Sequence, residues 1–291
     1  MLSNLLLSGV AVPVLTGIVA GGVVVRYRLA PLAALLAGAG ALFIYWLLEG
    51  FPAMPPTAVK QKLAFVFAAA GALGLVASIF RGADARVVLG LTLIIAGACA
   101  WWFGASVFAR VETWSEWLPP AGYCVLLALS SGWFLKRQAS TGDGARDGGV
   151  MALATVLAFA IGSAVVALAG GFIGMGQVFG ALAAFAGGLL LVAYVVSIRP
   201  NNTDPISVFD AAVPALAWSM AATGIVVTLF ATSLNLFAQS LLPLIFLAGA
   251  ALGDREGRFA SMPAPLRPVA GAALASLPGV AAIVLVLTTP A

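Results

Sequence analysis

Histidine is absent from the chain, and only 8% of its 291 residues are charged, 14 lysines and arginines against 10 aspartates and glutamates. Without an imidazole there is no side chain whose ordinary pKa suits general-base work near neutrality, and none to ligate haem, zinc or copper. Cysteine is almost absent too. Cys99 and Cys124 cannot by themselves complete a four-thiolate metal or iron–sulfur site; as small apolar side chains they are expected to fill space inside helices. No cofactor is therefore expected. The shortage of charge excludes a soluble globular domain, which carries about 25% charged residues. Disorder is excluded as well, because so apolar a chain must bury itself in something.

What the chain has in quantity is hydrophobic surface: 63% of its residues are apolar and its mean hydropathy is +1.12. Such a chain takes the lipid bilayer as its solvent, and each crossing helix needs roughly 20 apolar residues. Ten runs of this kind can be read, at Asn4–Val25, Ala30–Leu48, Leu63–Phe80, Val87–Phe108, Pro120–Leu135, Val150–Gly170, Gly174–Ser197, Ala211–Thr232, Leu236–Leu252 and Val269–Thr289. The fifth and ninth are the shortest, and the ninth is short enough to be re-entrant. The expected fold is all-α, a polytopic integral membrane bundle of about ten transmembrane helices forming one membrane domain.

The net charge of +4 and the pI near 9.4 do not describe a nucleic-acid binder, because the basic residues stand singly between apolar runs. They are better read as topogenic. Assigning alternate loops to alternate sides gathers Arg26, Arg28, Arg81, Arg86, Lys136, Arg137, Arg146, Arg199, Arg255, Arg258 and Arg267 on one side, 11 against the 3 of Lys60, Lys62 and Arg110. Lysine and arginine are retained on the cytoplasmic side, so both termini are expected to face outward from a bacterial-type inner membrane. The first run has no charged segment before it and is followed by Arg26 and Arg28, a pattern unlike a cleaved signal peptide.

The longest polar stretch, Lys136–Gly149, reads KRQASTGDGARDGG and has a linker's composition. Five runs precede it and five follow, giving candidate halves at residues 1–137 and 149–291. An odd number of spans per repeat inverts the second copy, as in duplicated carriers, although the halves show no residue-level likeness. All ten acids, from Glu49 to Glu256, fall in loops or at helix ends on this map. A charge at mid-membrane costs about 2.5 kcal/mol or more and is kept for ion or proton movement. Its absence argues against a proton relay or a deep site for a charged solute, and leaves a neutral or lipophilic one.

Two loops on the outer side carry related chemistry. One runs from Trp46 through Glu49 to Pro52, Pro55 and Pro56; the other contains Arg110, Glu112, Trp114, Glu116, Trp117, Pro119 and Pro120. Prolines lock φ and push the preceding residue toward extended backbone, so both loops should be stiff. Two readings stand: an aromatic belt with solvated charges at the headgroup level, or an outer pocket gathering Glu49, Arg110, Glu112, Trp114, Glu116 and Trp117. The arrangement Arg110-Val, Trp114, Trp117 and Pro119 resembles an outer loop in polytopic anchor subunits of molybdenum oxidoreductases, the polysulfide- and DMSO-reductase type. The resemblance runs over about a dozen of the 291 residues. It implies an anchor that exchanges electrons with quinol without haem. The chain departs from that pattern in having no evident carboxylate inside the bundle to take a quinol proton.

Glycine pairs at Gly17/Gly21, Gly170/Gly174, Gly176/Gly180 and Gly249/Gly253 each put two small residues on one helical face, which favours close packing. The cluster Gly170-Gly171-Phe-Ile-Gly174-Met-Gly176 makes an uncharged turn without the spacing of a phosphate loop. Gln177, Asn235 and Gln239 are candidate intramembrane polar contacts, with Asn235 and Gln239 expected to share a face at i and i+4. Pro214, Pro243 and Pro278 are candidate kinks. A membrane enzyme would want a nucleophile with its base, a metal site or a basic diphosphate cluster, and none is visible. The sequence thus points to a permease-like carrier of a small neutral or lipophilic solute. The alternative is a non-haem anchor subunit of a periplasmic or quinol-linked redox complex; a homo-oligomer or a membrane-complex partner fits either.

Overall fold

The computed structural model describes residues 7–79, 85–109, 114–140, 148–198, 206–231, 233–253, 262–263 and 266–289. Among them there is no strand, and the chain is an all-α polytopic bundle. One π turn, Leu7–Ala11, leads into α1 (Val12–Tyr27); α2 (Ala30–Glu49), α3 (Val59–Ile79), α4 (Ala85–Phe108) and α5 (Trp114–Ser140) follow. Then come α6 (Gly148–Ala169), α7 (Ile173–Ser197), a 3-10 turn at Ile206–Ala211 and α8 (Ala212–Phe230). The last third is made of shorter pieces, α9 (Leu236–Leu241), α10 (Leu244–Gly253), α11 (Leu266–Ala275) and α12 (Leu277–Thr288). Among the described residues eight stretches, one for each of α1 to α8, are long and apolar enough to cross a membrane. The bent pair α11–α12, with 43° between its halves, makes a ninth.

Local chemistry explains most boundaries. Proline stands in the first turns of α1, α2 and α12, where its missing N–H costs nothing. Gln61 Oε1 accepts the N–H groups of Thr57 (3.1 Å) and Ala58 (3.2 Å) and so caps the start of α3. The turn from α6 to α7 is only three residues long, and Gly171 makes it with φ of +76°, a conformation costly for a side-chain-bearing residue.

Three expectations need correction. The fifth crossing begins at Trp114, not Pro120, so Pro119 and Pro120 lie inside a 27-residue helix. The first-turn N–H groups of a helix need no internal partner, so α5 can start a turn ahead of its prolines, and only the carbonyls four residues before them lose a donor. The ninth run is not one helix but α9 and α10, broken at Leu242–Pro243. The tenth is broken beside Ser276.

Packing centres on α8. Ala212, Val213 and every residue from Ala215 to Thr228 are buried, and α2 to α7 all touch the helix. Elements of both candidate halves interleave, α1 lying along α7 and α3 along α8. Gly17 meets the Phe185 carbonyl and Gly188, and a Cβ on Gly21 would lie 2.8 Å from Val192 Cβ, so this pair does line a close helix contact. Gly180, by contrast, has nothing within 4 Å. Gly38 and Gly71 bring α2 and α3 to backbone contact. The most apolar crossing, α6, is mostly enclosed by protein and touches all four short helices, α9 to α12. Among these, α9 packs on α12 and α10 on α11.

The alternating helices define two rims. One, the Glu49 rim, joins the ends of α2, α3, α4 and α7 through Glu49, Lys60, Trp102 and Gly174. The opposite rim carries Arg26, Arg28, Arg86, Lys136, Arg137 and Arg267. There Lys136 and Arg137 both lie over the Trp133 ring, 5.1 and 5.3 Å from its centroid.

Candidate functional site

A polar side chain inside an apolar bundle must find a partner, and the cheapest is the carbonyl four residues back on its own helix. Most buried hydroxyls here take it. Thr155 donates to Met151 O (2.9 Å), Ser131 to Leu127 O (2.6 Å), Ser219 to Ala215 O (2.8 Å) and Thr223 to Ser219 O (2.9 Å). These groups are satisfied locally. The residues that reach across helices, or find no partner, mark a different kind of place.

Such a place lies between α5, α8 and α9. Thr228 gives its proton to Gly224 O (2.9 Å), and its oxygen accepts from Gln239 Nε2 (3.3 Å). That chain fixes the orientation of the Gln239 amide, because a hydroxyl already donating can only accept from the nitrogen end. Gln239 Oε1 is then left without a partner, although the residue is only 1% exposed. The Tyr123 phenol, on a residue 3% exposed, faces Gln239 and Thr228 but reaches hydrogen-bond geometry with neither. Room for it exists because residue 224 is glycine: a Cβ there would stand 2.9 Å from the phenol oxygen. The Gln239 amide oxygen and the Tyr123 hydroxyl, an acceptor and a donor, thus face each other in the interior without closing a hydrogen bond.

Next to this pair is a small cavity between α4, α5 and α8, about 10 Å³ in volume and lined by Thr92, Cys99, Leu127, Ser131, Trp218 and Ile225, the room of about one water. Its wall includes a second cross-helix contact, the Trp218 indole donating to Thr92 Oγ1 (3.2 Å). Leu127 lines the cavity and would also crowd a side chain on Gly224. Both features are uncharged. Among the described residues no group of three or more cysteines and carboxylates is placed to hold a metal ion.

At the Glu49 rim, Lys60 Nζ lies 2.6 Å from Glu49 Oε2, the carboxylate being 14% and the lysine 56% exposed. The other carboxylate oxygen lies over the first turn of α7, 3.6 Å from where a Cβ on Gly174 would be. The uncapped N–H groups and dipole of that helix end favour a negative charge. Lys62 donates to Trp102 O (2.8 Å) and sits 5.6 Å from the Trp102 ring centroid. Trp46 packs between Phe43 and Phe51, ring centroids 5.9 and 5.5 Å away.

Of the residues singled out from sequence, Gln239 belongs to the interior site. Asn235 does not share a helical face with it. It is the N-cap of α9, its Oδ1 accepting from Ala238 N (3.0 Å) and its Nδ2 donating to Thr289 Oγ1 (3.1 Å). A capping residue sits just outside the helix it starts, so the i, i+4 argument fails there. Gln177 is half-buried near the start of α7. Glu49 is engaged by Lys60. Arg110 and Glu112 lie outside the described residues, and Trp114, Glu116 and Trp117 are described only as backbone of the first turn of α5. Tyr123, Thr228, Trp218 and Thr92 were not anticipated. The available signal was the tyrosine and tryptophan within apolar runs, since each carries a polar atom that needs a partner. No model of a known protein family matches the chain, and no curated protein or solved structure matches it either.

Proposed function

We propose that this protein is a permease-like carrier for a small neutral solute, whose binding place is the Tyr123–Gln239 junction with the adjoining Thr92–Trp218 cavity. The observation that supports it most directly is the facing pair of polar atoms, Gln239 Oε1 of the short helix α9 and Tyr123 Oη of α5, buried without a hydrogen bond between them. Discontinuous helices at the interface of bundle halves are where carriers place their substrates. A donor on the solute would satisfy the amide oxygen, and an acceptor would take the phenol proton. Ions have no counter-charge among these groups, which suits an uncharged cargo. The cavity admits about one water as it stands, so this reading makes the observed conformation an occluded one. The arginine-rich rim is cytoplasmic and the Glu49 rim faces outward from an inner membrane by the positive-inside rule.

The test is permeation. Proteoliposomes challenged with urea, acetamide or glycerol should re-swell faster than protein-free vesicles of the same lipid, and Gln239→Leu should remove the difference. Equal rates with and without protein for all three solutes would overturn the reading. The anchor-subunit reading keeps one supporting observation: Phe51 and Met54, 83% and 76% exposed, stand on the proline-stiffened loop of the Glu49 rim. A stoichiometric partner retained through purification, and lost on Phe51→Ser with Met54→Ser, would favour it.

A further inference from the structure

The Glu49 rim carries two lysines in the first turn of α3, and their surroundings differ. Lys60 is matched by the Glu49 carboxylate. Lys62 is half-buried and its partners are uncharged: the Trp102 carbonyl of α4 at 2.8 Å, and the Trp102 ring with its centroid 5.6 Å away. Among the described residues no carboxylate pairs with it. An ammonium has three N–H donors, so two remain beyond the one given to the carbonyl. Trp102 stands six residues before the end of α4, which holds this cation against the flank of an apolar helix and not out in the aqueous loop. A charge in such a place is costly without a counter-ion.

Below Lys62 the two helices part. Although α3 and α4 are consecutive, each packs on α8 far more than on the other. They meet near the rim through Lys62 and through Phe65, whose ring lies edge-on to Trp102 with 6.4 Å between centroids. Past that contact the side chains are small. Ala69 and Ala72 of α3 and Gly97 and Ala98 of α4 are exposed, and a Cβ on Gly97 would meet nothing within 4 Å. Lys62, Phe65 and Ala69 share one face of α3 by helical spacing, as Trp102 and Ala98 share one of α4. Together they form a furrow open to the bilayer, with α8 as its floor and a cation at its mouth. The rise from Lys62 to Leu73 is about 16 Å, the depth of one leaflet in a hydrocarbon core of about 30 Å.

We propose that this furrow holds one anionic phospholipid of the leaflet at the Glu49 rim, its phosphodiester on the Lys62 ammonium beside Trp102 and one acyl chain lying along Ala69 and Ala98. Charge selects the lipid. Lys60 and Glu49 are neutral as a pair, so a headgroup with net negative charge completes Lys62, whereas a zwitterionic one brings a further cation to the same place. Basic pockets between transmembrane helices bind anionic headgroups, and an indole suits the headgroup level. None of these residues lines the Tyr123–Gln239 junction, and the lipid site stands whether or not the bundle carries a solute.

Native mass spectrometry of the full chain, extracted from mixed vesicles of phosphatidylglycerol and phosphatidylcholine, tests it. The protein should retain one phosphatidylglycerol in preference to phosphatidylcholine. Lys62→Met keeps the length of the side chain without its charge and should lower that retention about fivefold, while Lys62→Arg should preserve it. Ala69→Phe fills the furrow, leaves the charge in place and should lower retention as well. Removing the neighbouring ion pair whole, with Glu49→Gln and Lys60→Met together, should change nothing. Soluble glycerol phosphate in excess should fail to displace the lipid, because the acyl chain supplies part of the hold. If Lys62→Met does not fold, Ala69→Phe and Lys62→Arg still decide. Equal retention of the two lipids, indifference to Lys62→Met or to Ala69→Phe, loss with Lys62→Arg, an equal loss on removing the ion pair, or displacement by glycerol phosphate would each overturn the site.

Discussion

Replacing Gln239 by leucine should make the folded protein more stable while stopping permeation. The amide makes one hydrogen bond, at 3.3 Å to Thr228, and interhelical side-chain bonds in membrane bundles average about 0.6 kcal/mol. Against that loss stands the removal of the unpaired Oε1, worth about 1–3 kcal/mol. Leucine is close to glutamine in size, so little void is created. The balance is a gain of about 0.5–2 kcal/mol. Thr228→Val works in the opposite direction on the same pair. It strands the amide nitrogen beside an oxygen already stranded, and should destabilise by about 1–3 kcal/mol. Reversible unfolding in mixed micelles, followed by tryptophan fluorescence against detergent composition, measures both. Loss of more than about 1 kcal/mol in Gln239→Leu, or a neutral Thr228→Val, would refute the reasoning, because it would mean that the amide oxygen has a partner in solution.

The glycine contacts should separate by geometry alone. Gly71→Ala puts a Cβ 2.9 Å from Gly38 Cα whereas Gly97→Ala meets nothing within 4 Å; both gain the same helix propensity, so the first should be less stable than the second by about 1–3 kcal/mol, and equal unfolding midpoints would contradict the α2–α3 contact. Removing the rim ion pair with Glu49→Gln or Lys60→Met should cost no more than about 1 kcal/mol, since the lysine is more than half exposed; a double-mutant cycle should show the two changes to be non-additive, and an additive cycle would place the pair in solvent. A reporter fused after Ala145 should read cytoplasmic and one at the carboxyl terminus external, with a cytoplasmic carboxyl terminus contradicting the orientation proposed for the rims.

The crossings were legible because apolar runs of spanning length have few other uses, and the observed helices keep the order and nearly the limits of those runs. What escaped was the effect of particular residues within them. Pro119 and Pro120 read as a loop, yet a helix tolerates them one turn after its start. Pro243 and Pro278 did flag the broken crossings, but proline shows that a bend is allowed and not that two bends meet across Gly162. At the candidate site, Gln239 was visible as an amide in an apolar run. Its neighbours were not, because the contacts join different helices: Trp218 and Thr92 lie 126 residues apart in sequence. Glu49 was legible as a charged residue at a helix end. Its partner, eleven residues further on, was hidden by a proline turn that brings the start of α3 back beside it.

The enclosure of α6 bears on how such a bundle is made. A strongly apolar helix enters the bilayer from the translocon unaided, whereas one of the length of α9 or α10 has neither the reach nor the hydrophobic surface to do so. Pieces so short can be carried in alongside a helix already inserted, and the glycines that let α10 and α11 seat on Thr155 and Met151 are where they would dock. Bulky substitutions at Gly249 or Gly271 would then show themselves during synthesis, as nascent chains whose last third is held at the insertion machinery and cleared by quality-control proteolysis.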